Sequence, residues 1–96
     1  MPVNYGMVSK VIGIQIEIFD SRDNPLVDFR LKYETNDGHV QSYRCPTIPK
    51  NIRHILTSLR KRRLIPNVKF QENINTVNTL EEKLLLNPTY LAIHNI

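Results

Sequence analysis

The chain has one cysteine, three glycines and no tryptophan among its 96 residues, and no stretch approaches the ~18 consecutive apolar residues of a membrane span. The lone thiol, Cys45, cannot close an intramolecular disulfide. With no Cys/His cluster around it, structural zinc is not expected either. A single unpaired cysteine suits a reducing compartment, so the expected location is intracellular, cytoplasmic or nuclear, including a viral or phage protein inside its host. Met1 to Gly6 lacks the positive start and apolar run of a signal peptide.

The scarcity of motifs also limits the chemistry. Gly6, Gly13 and Gly38 are too scattered to form a phosphate-cradling loop, and His39, His54 and His94 lack metal-type spacing. Asp20, Asp23 and Asp37 fall in turn-forming sequence, where short carboxylates cap their own backbone. His39 and Cys45 share a parity but would lie ~20 Å apart along a straight strand. No catalytic residue, metal or cofactor is therefore assigned, and a binding protein is expected rather than an enzyme.

Acidic residues are missing from one long segment. Between Pro46 and Lys69 there is none, against seven basic residues: Lys50, Arg53, Arg60, Lys61, Arg62, Arg63 and Lys69. The formal charge of the whole chain is +4, so this segment carries more than the entire surplus, while residues 1–45 balance to −1 and residues 70–96 to −2. Clustered cations on an otherwise neutral body favour a polyanionic partner, because displaced counterions drive association with phosphates. Neutralising about six phosphates would make affinity fall by roughly 10³ to 10⁵ between 50 and 200 mM salt.

A hydrophobic share of 41% with 23% charged residues is that of a folding chain, and the length suits a single domain over residues 1–96. Ile12, Ile14, Ile16 and Ile18 recur with period two, as do Val27, Phe29, Leu31 and Tyr33 after the turn formers Asp20 to Pro25. Asn36-Asp37-Gly38 supplies a tight hairpin into a third strand over 39–44, which Cys45-Pro46 should end. These pieces predict an antiparallel meander whose apolar face carries both alternating sets. The second face of the first strand keeps Val11 and Phe19, which could meet another layer or a second subunit.

Ile52, Ile55, Leu56 and Leu59 stand at helical spacing and predict a helix from Pro49 to Arg63, with Thr47 able to cap it and Pro66 stopping the chain beyond. At ~100° per residue Lys50, Arg53, Arg60 and Lys61 lie away from the apolar stripe, whereas Arg63 falls toward the core side, which implies that the helix frays or ends there and frees Arg62 and Arg63 to swing outward. Residues 68–77, with three nearby asparagines, read as extended, with one short edge strand near 68–70. Asn78 is expected to cap a second, shorter helix that Asn87-Pro88 ends. The apolar tail from Thr89 is expected to dock on the body or on a partner. The fold class is thus α+β: a three- to four-stranded antiparallel meander packed against an amphipathic helix, with a short C-terminal helix.

The hairpin turn at Asp20 to Pro25 and the strand-to-helix passage Cys45-Pro46-Thr47-Ile48-Pro49 give an arrangement similar to the single-strand-binding domain of a family of transcriptional coactivators. The similarity is one of element order, without a shared residue motif, and implies a homodimer whose curved sheet engages single strands. From the residues themselves, the expected function is nucleic-acid binding, to DNA or RNA, through Lys50, Arg53, Arg60, Lys61, Arg62, Arg63 and Lys69. Tyr43 and Arg44 are added from the third strand, Tyr43 as an exposed stacking ring. The alternative is a protein-interaction or inhibitor module that engages an acidic surface, or self-assembles through its sheet.

Overall fold

In the computed structural model, residues 3–19 and 23–94 are described. A 3-10 turn at Tyr5–Met7 leads into β1 (Val8–Phe19), β2 (Leu26–Thr35) and β3 (Val40–Thr47), followed by helices α1 (Pro49–Lys61), α2 (Asn67–Leu85) and α3 (Pro88–His94). The strands form one antiparallel sheet in the order β1-β2-β3. The expected α+β meander with a short C-terminal helix is therefore present, with three strands. Among the described residues, no helix is long and apolar enough to cross a membrane.

Ile14, Ile16 and Ile18 pair with Leu31, Phe29 and Val27, so both alternating sets point to one face, as their period requires. Register shifts near Ser9 and Ile12 modify that pattern. The extra residue at Ile12 breaks the isoleucine series and leaves this side chain 45% exposed, while Val11 comes opposite Tyr33 and packs on the core. Val11 thus leaves the second face on which its parity had placed it. Phe19 remains there, at the rim, with the Arg44 guanidinium 5.4 Å from its ring centre.

The third strand runs through Cys45 and Pro46 instead of ending before them. Because β3 is an edge strand, Pro46 can be accommodated without a ladder donor on its open side. Only Asp23 to Pro25 of the first turn lies within the described residues; Asp20 to Arg22 lie outside them. The second turn places Gly38 at φ 84, and the Thr35 hydroxyl donates to Asp37. The latter contact, with bonds to backbone and His39, holds the Asp37 carboxyl below the usual carboxylate pKa.

Helix α1 buries Ile52, Leu56 and Leu59 completely, which is the stripe the spacing predicts. Its N-cap is Ile48, with no side-chain bond; Thr47 instead accepts from Asn51 Nδ2 at 2.8 Å, so the expected threonine cap does not form. The largest departure follows Pro66. Residues 67–85 are one continuous helix, with no strand at 68–70, and Asn78 sits inside it rather than at its start. Phe70, Ile74, Val77, Leu80 and Leu84 all pack into the core, and the polar residues between them turn outward or bond to the preceding turn, as Asn73 does to Lys69 O at 2.7 Å. The apolar stripe outweighs the weak helix propensity of Asn and β-branched residues.

The core joins Val27, Phe29 and Leu31 of β2 to Ile52, Leu56, Leu59, Ile65, Val77 and Leu84. Helix α3 follows Asn87, whose Oδ1 accepts from the Thr89 and Tyr90 amides, and it inserts Tyr90 into this core at 1% exposure. The C-terminal tail thus docks on its own body.

Candidate nucleic-acid interface

The basic side chains of α1 divide into two groups once their partners are known. Arg53 donates from Nη2 to Glu81 Oε1 at 2.5 Å, from Nη1 to Glu81 Oε2 at 3.3 Å, and from Nε and Nη2 to Asn78 Oδ1. Both Arg53 and Glu81 are about two-thirds buried between α1 and α2. Arg53 is therefore a clamp between helices, neutralised by the molecule's own carboxylate, and is corrected from a candidate phosphate contact to a structural group. Lys69 lies near Glu72, 3.4 Å away and one turn along α2. That pair is solvent-exposed and weakly held.

Lys50, Arg60, Lys61, Arg62 and Arg63 are exposed, and among the described residues none of them faces a carboxylate within ion-pair distance. Two are oriented without losing charge. The Arg60 guanidinium lies 4.1 Å from the centre of the half-buried Phe70 ring, and that of Arg62 lies 5.3 Å from the Tyr5 ring. Such stacking contributes about 0.5–1 kcal/mol each at exposed sites and leaves the N–H groups facing water. Burial raises the Tyr5 pKa, partly opposed by a Ser58 bond and by the nearby Arg62 charge.

The end of α1 sets the direction of Arg63. Arg62 is the C-cap, Arg63 takes φ 58, and the Arg63 and Leu64 amides return to Arg60 O and Leu59 O, both at 2.9 Å. These are the two bonds of a Schellman closure, whose left-handed position ordinarily holds glycine. An arginine there accepts backbone strain and projects a cation at the corner. Arg60, Lys61 and Arg63 border a groove of about 460 Å³ with Ile65, Pro66 and Asn67. The first turn of α2, which opens onto this groove, has neither an acidic residue nor a side-chain cap, so its free amides add to the positive potential.

The two candidates from β3 lie elsewhere. Tyr43 pairs with Leu31 and packs half-buried on the helix-covered face, which corrects its expected role as an exposed stacking ring. Its pKa is pushed up to about 12, first by a bond to Cys45 and then by burial. Arg44 faces the opposite, outer side, where its Nε bonds to Asp28. The signal that Arg53 is a clamp was available in sequence only through Asn78 and Glu81, which were read as the cap and first turn of a shorter helix and lie instead inside α2. Among the described residues, no grouping of His, Cys, Asp and Glu could hold a metal ion. Comparisons with protein-family models, curated proteins and solved structures gave no match.

Proposed function

We propose that this protein is a non-catalytic nucleic-acid binder that contacts phosphates through Lys50, Arg60, Lys61, Arg62 and Arg63, with no base-specific code. The observation that carries this reading is that these cations have no carboxylate partner among the described residues, in a molecule that does neutralise Arg53. Support comes also from Arg63, which occupies a glycine-type position at a cost in stability. Phosphates reward such clustering through counterion release and do not demand a fixed groove geometry. The test is fluorescence anisotropy with labelled DNA and RNA at about 50 mM salt, comparing the wild type with an Arg60→Ala/Lys61→Ala/Arg62→Ala variant. Micromolar binding that the variant loses supports the reading, and a wild type with no affinity for either polymer removes it.

An acidic protein surface is the second reading. It is favoured by Val68, 66% exposed beside these cations, since an apolar contact suits a protein partner better than a phosphate backbone. Recovery of one acidic protein after nuclease treatment would select it over the first.

A further inference from the structure

The outer face of the sheet carries a second cationic grouping, separate from the helix corner. In the strand register, Arg30 lies directly opposite Arg44 and beside Gln15, and the adjacent row is Gly13, Lys32 and Ser42. Like charges placed directly opposite on a sheet repel and cost stability. Here a buried acid restrains them. Asp28, 2% exposed, accepts from Arg30 Nε at 3.1 Å and from Arg44 Nε at 3.0 and 3.2 Å. Both arginine side chains remain about half exposed, at 49% and 50%. With each Nε on Asp28, the terminal Nη groups of each guanidinium remain for another partner, and the Arg44 guanidinium also lies 5.4 Å from the Phe19 ring centre. Among the described residues, those Nη groups have no protein acceptor within hydrogen-bond distance.

These side chains border a cleft of about 620 Å³, together with Gln15, Lys32 and Ser42. Gly13 opens it: a Cβ built there would meet no atom within 4 Å. Arg30, Arg44 and Lys32 stand against Asp28 and Glu17, which lie opposite each other on β2 and β1, leaving one positive charge in excess. The row beyond Lys32 carries Glu34. The positive field is therefore confined to a spot and does not extend as a track for a polymer backbone.

We propose that this cleft binds a small ligand through a terminal phosphate group. The Nη forks of Arg30 and Arg44 hold its oxygens, and Lys32 and the Ser42 hydroxyl complete the shell. Guanidinium forks match phosphate geometry in a two-point contact, and two forks beside Lys32 suit the three terminal oxygens of a phosphate better than the two of a carboxylate. Asp28 acts as the positioning residue, because it fixes both forks before the ligand arrives. This site stands independently of nucleic-acid binding at the helix corner.

The test is an amide NMR titration of the full chain with phenyl phosphate, and with benzoate as the carboxylate counterpart, at constant ionic strength and about pH 7.5, above the second phosphate pKa of ~6. Phenyl phosphate should shift the amides of Arg30, Lys32, Ser42 and Arg44 and bind more tightly than benzoate. Arg44→Lys, which keeps the charge but loses the fork, should weaken it about ten-fold. Gly13→Leu should fill the cleft and abolish binding; if this variant does not fold, Arg44→Lys decides alone. Shifts confined to Arg60–Arg63, unchanged affinity in Arg44→Lys, or benzoate binding as tightly as phenyl phosphate would each overturn the proposal.

Discussion

Replacing Arg63 by glycine should make the protein more stable while weakening its hold on polyanions. Arg63 sits at φ 58, closing α1 through the bonds to Arg60 O and Leu59 O. A side chain in that left-handed region costs about 1–2 kcal/mol. Glycine relieves this but loses about 0.5–1 kcal/mol more backbone entropy on folding, leaving a net gain of roughly 0.5–1 kcal/mol. For a chain of this length, a melting point higher by about 2–8 °C follows. Relief of repulsion among neighbouring cations could imitate the effect, so Arg63→Ala is the control: it removes the charge and keeps the Cβ. Thermal and urea denaturation should show the glycine variant above wild type and the alanine variant not. Equal stabilisation by both would assign the effect to charge, and a destabilised glycine variant would refute the strain argument.

Arg53→Ala should cost about 1.5–3 kcal/mol, because it strands the largely buried Glu81 carboxylate, whereas Arg60→Ala should cost less than about 1 kcal/mol. Urea denaturation of both variants checks this, and equal costs would contradict the division between clamp and free cation. Tyr90→Ala should cost about 3–5 kcal/mol, as for other large buried rings, since Tyr90 is 1% exposed; a melt matching wild type would show that α3 does not contribute to the core. For Asp37, the folded pKa lies below the ordinary 3.8. Its contribution is thus present above that value and lost as pH falls through the lower native pKa. The melting-point gap between wild type and Asp37→Asn should accordingly shrink as pH is lowered from about 4 to about 2, and a constant gap would remove the carboxylate from that turn.

The strands and α1 were legible because each carries one clear period: Val27 to Tyr33 alternate, and Ile52, Leu56 and Leu59 recur at helical spacing. Helix α2 was obscured by Asn67, Asn73 and Asn75, whose local preference is for turns, although Phe70, Ile74, Val77, Leu80 and Leu84 form a sustained helical stripe across that segment. The misreading spread to function. With residues 68–77 taken as extended and Asn78 as the cap of a shorter helix, nothing set that helix beside α1 or marked Glu81 and Asn78 as partners of Arg53. The inward turn of Val11 was hidden for another reason: it depends on the extra residue at Ile12, and strand parity alone cannot reveal a bulge. Tyr43 was placed on the wrong side because the polar company of His39 and Gln41 outweighed the pairing with Leu31, which only the register reveals.

The salt dependence of nucleic-acid affinity tests the central claim most directly. The five cations without a carboxylate partner among the described residues predict a slope of log affinity against log salt of about −4.5 for duplex DNA and about −3.5 for a single strand, or a ~500-fold and a ~130-fold loss between 50 and 200 mM. The Arg60→Ala/Lys61→Ala/Arg62→Ala variant keeps Lys50 and Arg63, so its slope should fall to between about −1.4 and −1.8. A wild type whose affinity hardly changes with salt, or a variant that keeps the full slope, would contradict the assignment of these side chains to phosphate contact.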